Sequence, residues 1–172
     1  IRSADSTFGV SNYWIKFFDS TTGATVGTIN SEVAYSTFTG QHPTPLPSGS
    51  ALQEGVIIAS TGQLAFDGGL SNAWVSTQVT TAAKDKAVVG VYRGFNVPAE
   101  DSYMGEDQHV YNALGEGQVL VTDQNGNIET GDYICSSDRA GHGMLQDDDL
   151  LHNYTVAKAT TPIDFSTVDV DS

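Results

Sequence analysis

Ala87-Val88-Val89-Gly90-Val91-Tyr92 is an unbroken apolar run, rich in β-branched residues and carrying a single glycine. It is too short and too β-branched for a helix and predicts a strand buried on both faces. Upstream, Trp74-Val75-Ser76-Thr77-Gln78-Val79 mixes apolar and polar residues as a half-buried strand does. Val56-Ile57-Ile58-Ala59 is another strand, bounded by Ser60-Thr61-Gly62.

The same signals recur towards both ends. Tyr13-Trp14-Ile15-Lys16-Phe17-Phe18 is a dense aromatic run followed by the turn chemistry of Asp19-Ser20-Thr21-Thr22-Gly23. Thr25-Val26-Gly27-Thr28-Ile29 reads as the returning strand of a hairpin. Downstream, Gln118-Val119-Leu120-Val121-Thr122 leads into Asn125-Gly126, a hairpin signal because both residues tolerate positive φ. Tyr133-Ile134-Cys135-Ser136 and Tyr154-Thr155-Val156-Ala157 complete the strands.

Helical signals are scarce. Gln146-Asp147-Asp148-Asp149-Leu150-Leu151-His152 supports one or two turns, with its acids near the N-terminal end of the dipole. His42-Pro43-Thr44-Pro45-Leu46-Pro47-Ser48-Gly49-Ser50 reads as a linker or long loop. The expected architecture is all-β, with little helix. An N-terminal β-hairpin stem and linker occupy 1–49, and a compact β-domain occupies 50–172, its tail from 166 onward loose.

Composition removes several function classes. Seven Lys+Arg against 21 Asp+Glu leave a net charge of −14, which disfavours nucleic acid and anionic membranes. No run approaches the ~20 apolar residues of a membrane helix. A hydrophobic share of 39% and a charged share of 16% do not fit a disordered acidic chain. The single Cys135 makes neither an internal disulfide nor a thiolate zinc site. Its place after Tyr133 and Ile134 predicts burial in a strand rather than a nucleophile. The N-terminus lacks a signal peptide's apolar stretch, and its missing Met suggests a fragment or a processed chain.

The candidate chemistry is sparse. Asp123-x-Asn125-x-Asn127 begins like a calcium loop, but Ile128 stands where the loop needs Gly and Ile134 where it needs Glu. A turn explains those residues better. Asp147-Asp148-Asp149 offers clustered oxygens to a hard cation, yet three adjacent acids at the start of a helical turn are more often a solvated, dipole-matched cap. Histidines 42, 109, 142 and 152 show no zinc-protease spacing, and His142 between two glycines suits a turn. Gly115-x-Gly117 and Gly141-x-Gly143 lack the third glycine of a dinucleotide loop. Asn153-Tyr154-Thr155 matches a glycosylation acceptor, a pattern common by chance. No metal and no cofactor are expected.

Three segments carry a resemblance. They are Gly115-Glu116-Gly117-Gln118-Val119-Leu120-Val121, then residues 125–137 with Gly131-Asp132-Tyr133, then residues 141–158. The last holds Gly141, Gly143, Gln146, Asp147, Asp148, Asp149, His152 and Asn153. Together they resemble the module that ends fibre-like virion proteins of marine and cyanobacterial phages. That module looks related to the intramolecular-chaperone autoproteolytic domain of phage neck appendage and tail-spike proteins. Weaker similarity extends through 38–42 and 84–91, and the hairpin at 13–29 looks like the join between a fibre stem and such a domain.

The resemblance implies a viral structural domain: a homotrimeric, chaperone-like tip joined to the remainder of a parent fibre chain. It would reside in the virion after assembly in the host cytoplasm, and a host cell-surface receptor is a further partner such a tip could meet. Relatives cut themselves at a Ser-Asp junction with nearby Arg and Lys; this chain has Ser36-Thr37-Phe38-Thr39-Gly40-Gln41-His42 there. Its one Ser-Asp pair, Ser137-Asp138, lies inside the motif, so no catalytic residues carry over.

Two rivals stand beside this expectation. One is a once-only peptidase acting on its own chain, with Asp5, Glu32 or Asp101 as general base. The other is a receptor-binding tip using exposed aromatics such as Trp74, Tyr92 or Tyr103.

Overall fold

In a computed structural model, residues 13–18, 25–30, 40–49, 52–67, 73–99 and 106–168 are described. They contain ten strands and no helix, so the protein is all-β. The chain divides into two compact units, Ile1–Thr39 and Gly40–Ser172. In the first, β1 (Tyr13–Phe18) and β2 (Thr25–Asn30) form an antiparallel hairpin where the aromatic run and its turn predicted one.

The second unit begins earlier than the expected boundary at 49/50, because part of the proposed linker is a strand. β3 (Gly40–Thr44) pairs antiparallel with β7 (Gln108–Leu114). Pro43 sits within it, which an edge strand tolerates because one flank needs no donor. β4 (Ile57–Asp67), β5 (Ala73–Val79) and β6 (Val88–Val97) complete a five-stranded sheet of order β3-β7-β6-β4-β5. β4 does not stop at Ser60-Thr61-Gly62; it runs on through a register shift between Ser60 and Leu64.

The two edges of this sheet meet. Ser48 N–H donates to the Thr77 carbonyl (3.1 Å), and the Ser48 carbonyl accepts from Val79 N–H (2.9 Å). The Thr44 and Thr77 hydroxyls lie 2.9 Å apart, and Thr44 Oγ1 also donates to the Val75 carbonyl. The sheet therefore curls into a small barrel, which satisfies backbone groups that a flat sheet would leave open at its edges. Val56, Ile58, Val79, Tyr92 and Tyr111 fill it, with Leu52, Val75, Val89, Leu120 and Ala140 packed against them.

A three-stranded sheet completes the unit, in the order β10-β8-β9. Its strands are β8 (Tyr133–Ser136), β9 (Gly143–Leu145) and β10 (Thr155–Lys158). It joins the barrel through backbone bonds from Ile57 N–H to Gly141 O (2.7 Å) and from Gly141 N–H to Thr80 O (2.8 Å). This second layer changes which strand is buried on both faces. Val56, Ile57, Ile58 and Ala59 are wholly buried, whereas Val88, Val89 and Val91 are only half-buried. Burying each of the large aliphatic side chains contributes about 2 kcal/mol. Gly90, the one interruption in the opening run, is required by close packing. A Cβ there would stand 2.3 Å from the Asn112 carbonyl oxygen on β7.

Two other expectations are corrected. Asn125-Gly126 does form a turn, with Gly126 at φ 98° and its N–H bonded to the Asp123 carbonyl. Its flanks do not pair with each other, however: Val121 bridges Gly143 and Ile128 bridges Ile163. Residues 146–152 form no helical turn. Asp148 Oδ1 accepts from Leu150 N–H and Gln146 takes the Leu150 carbonyl, so side chains occupy the groups a helix would use.

Candidate functional site

The run from Gly141 to Lys158 supplies β9, β10 and the acidic loop between them, and that loop is organised by Gln146. Its side chain is 4% exposed. Its amide nitrogen, Nε2, donates to the Leu150 carbonyl (2.7 Å), the Asp148 carbonyl (3.0 Å) and Asp148 Oδ1 (3.1 Å). Its Oε1 accepts from the Thr155 hydroxyl at 2.7 Å, and that hydroxyl also accepts from His152 N–H. One buried amide thus ties both ends of the loop to the start of β10.

The charged groups close around this frame. Asp148 holds His152 Nε2 at 2.9 and 3.0 Å through its two carboxylate oxygens. The His152 ring stacks on Tyr154, with centroids 4.6 Å apart. Lys84 reaches in from the β5–β6 connection to Asp147 Oδ2 at 2.7 Å, and its Nζ lies 5.6 Å from the centre of the Tyr154 ring. The hydrogen bond to Asp147 raises the Lys84 ammonium and, from the other side, holds the Asp147 carboxyl below its ordinary range. The Leu150 N–H and then His152 do the same for Asp148.

Lys84 has φ 54°, the left-handed region uncommon for a residue with a Cβ. Backbone bonds to β8 hold it there: Lys84 N–H donates to the Ser136 carbonyl (2.9 Å) and Asp85 N–H to Ser136 Oγ (2.8 Å). The Ser136 hydroxyl in turn donates to the Ala82 carbonyl.

Most of the other motif residues have structural duties. A Cβ on Gly143 would meet Ile134 Cγ2 at 2.6 Å, and Gly141 (φ 73°) lies against Val56. Asp132 closes the turn before β8 by accepting from Glu129 N–H at 2.7 Å. Gly131 N–H donates to the Ala159 carbonyl, and the Tyr133 carbonyl accepts from Gln146 N–H. Gly115, Glu116 and Gly117 lie in the exposed connection after β7, away from this frame in sequence, and Asp149 and Asn153 are exposed. Ser136 and Thr155 lie within the resembling segments and Lys84 within the weaker stretch 84–91, but their residue types alone assign them no part in this frame. Their parts depend on pairings between segments far apart in the chain.

The remaining candidates separate clearly. Cys135 is wholly buried, and burial pushes its thiol up, away from the nucleophilic thiolate. His142 donates from Nδ1 to the Ala140 carbonyl at 2.7 Å, as a turn residue. His109 is buried, with Nδ1 2.6 Å from the Tyr92 hydroxyl, while the exposed His42 stacks on Tyr111. The calcium-like asparagines are occupied elsewhere: Asn125 Nδ2 donates to the Leu145 carbonyl and Asn127 Nδ2 to Asp164. Among the described residues, no three His, Cys, Asp or Glu converge as a metal site. No helix among them is long and apolar enough to cross a membrane.

The receptor-binding rival loses two of its named residues. Trp74 and Tyr92 are 3% and 7% exposed, so neither offers a ring to a receptor. Tyr103, Asp5, Glu32 and Asp101 lie outside the described residues, as do 36–39. Ser137 of the Ser-Asp pair is buried, with its hydroxyl bonded to the His142 carbonyl at 2.9 Å. No protein-family profile matches the chain, and no curated protein or solved structure matches it.

Proposed function

We propose that this chain is the C-terminal domain of a phage virion fibre or appendage, a chaperone-like tip that holds three copies of the chain in register. The observation that carries the proposal is the separate hairpin unit, in which β1 and β2 pair only with each other among the described residues. A two-stranded hairpin is marginal in water by itself, and Trp14, Phe17 and Phe18 in its sequence call for a covering surface. Copies of the chain around a symmetry axis supply such a surface. The motif resembling phage fibre ends agrees with this, since its glycines, Gln146 and Asp148 build a fixed loop. A structural module has that kind of use for them.

The test is the mass of the intact chain in solution by light scattering. A trimer gives three times 18.2 kDa, and a particle of 18.2 kDa across the accessible concentration range would refute the proposal.

A further inference from the structure

Asn125-Gly126 is the one Asn-Gly pair in the sequence, and both residues are exposed on the turn between Thr122 and Ile128. Asn-Gly is the dipeptide most open to intramolecular succinimide formation, because glycine places no side chain in the way of its own nitrogen. In this fold both reacting groups are engaged. The Gly126 nitrogen, which would attack, donates its hydrogen to the Asp123 carbonyl at 2.8 Å. The Asn125 side-chain amide, which would leave as ammonia, donates to the Leu145 carbonyl on β9 at 2.8 Å. Thr122 and Asn127 fix the two ends of the turn. Thr122 N–H donates to the Gly143 carbonyl, and Asn127 holds Asp164 and Phe165 N–H.

We propose that Asn125 is a latent site of spontaneous covalent modification, kept closed by the folded turn and opened when the turn detaches from β9. In the reaction a solvent base removes the Gly126 amide proton. The nitrogen then attacks Asn125 Cγ, the N–Cγ bond forms, and the Cγ–Nδ2 bond breaks as ammonia takes up a proton and leaves. Water opens the resulting ring at either carbonyl, giving aspartate or isoaspartate. Neither product has the amide donor for the Leu145 carbonyl, and each places a carboxylate in a chain already at −14. The isoaspartate form also adds a methylene to the backbone of the turn. The modification therefore reports, and then fixes, loosening of the segment that ties residues 120–128 to β9.

The intact chain is incubated in mildly alkaline buffer, with and without concentrated urea. The peptide containing residues 125 and 126 is then quantified by mass spectrometry for the amide-to-acid increment and for isoaspartate. Conversion should be at least about tenfold slower in the native chain, since it requires a local opening. Equal rates in the two conditions would overturn the protective role of the turn, and no conversion in urea would overturn the site itself. As a second measurement, N125D should expose the backbone around Leu145 to faster hydrogen exchange; unchanged exchange there would also count against the proposal.

Discussion

The Tyr92 hydroxyl meets His109 Nδ1 at 2.6 Å, joining β6 to β7 inside the barrel wall. Burial raises the Tyr92 hydroxyl and lowers His109, so the pair rests as a neutral phenol hydrogen-bonded to a neutral imidazole. Phe95, itself 57% exposed, meets the His109 ring edge-on at 5.6 Å. Tyr92→Phe keeps the ring and removes the hydroxyl, leaving the buried His109 Nδ1 without this partner. It should cost about 1–3 kcal/mol in urea unfolding; an unchanged midpoint would show that the bond contributes nothing.

The same pair sets a pH dependence. His109 binds its proton less readily folded than unfolded, so between its lowered value and the ordinary one near 6.5 the unfolded chain holds more protons. Stability from this group is therefore full above about pH 6.5 and is lost as pH falls through the folded value. Thermal unfolding from neutral to mildly acidic pH should show that loss, and His109→Gln should flatten it. An identical slope in the variant would assign the effect to other groups.

What the sequence disclosed followed from local chemistry. Tyr133-Ile134-Cys135-Ser136 is legible because its strand propensity is written in its own residues, and β8 spans those four positions. β3 was hidden by Pro43 and Pro45, which read as linker until β7 is there to pair with. β9 is too short to register, and its glycine is explained only by Ile134 across the ladder. Gln146 among three aspartates looks solvated in one dimension; its burial depends on Thr155 and the returning chain. The burial of Trp74 and Tyr92 is hidden in the sequence for a related reason, because an aromatic residue's exposure is decided by what packs over it.

Gly90 and Gly143 should refuse even one methyl group. Alanine at 90 brings a Cβ to 2.3 Å from a backbone oxygen, and at 143 to 2.6 Å from Ile134 Cγ2. Backbone cannot retreat as a side chain can, so Gly90→Ala should be the worse of the two. Losses of about 1–3 kcal/mol or more are expected from such overpacking. Equal unfolding midpoints for the wild type and Gly90→Ala would show that β6 and β7 are not this close.

Cys135 should be silent in the native chain. It is wholly buried and its thiol is raised first by burial, with Lys84 working in the opposite sense. Labelling with a thiol reagent should proceed only as fast as the surrounding structure opens, and rapidly in urea. Fast labelling of the folded chain would contradict its place in β8.

Gln146→Leu is the sharpest probe of the acidic loop. Leucine approximates the volume but deletes the bonds to Leu150, Asp148 and Thr155. Several polar groups then lose their partner at once, and a cost of about 1–3 kcal/mol follows if the loop stays closed. The loop has a less costly response, which is to open. Leu150 and Leu151, already 65% and 75% exposed, would then become an accessible cleavage point. Limited proteolysis should therefore nick Gln146→Leu within residues 147–152 under conditions that leave the wild type intact. Acid should act in the same direction, because Asp147 and Asp148 are held below the ordinary carboxylate range. Their contribution is present above that range and is lost as pH falls through the lowered values. Resistance of Gln146→Leu to nicking would mean that Lys84 and His152 hold the loop without the buried amide.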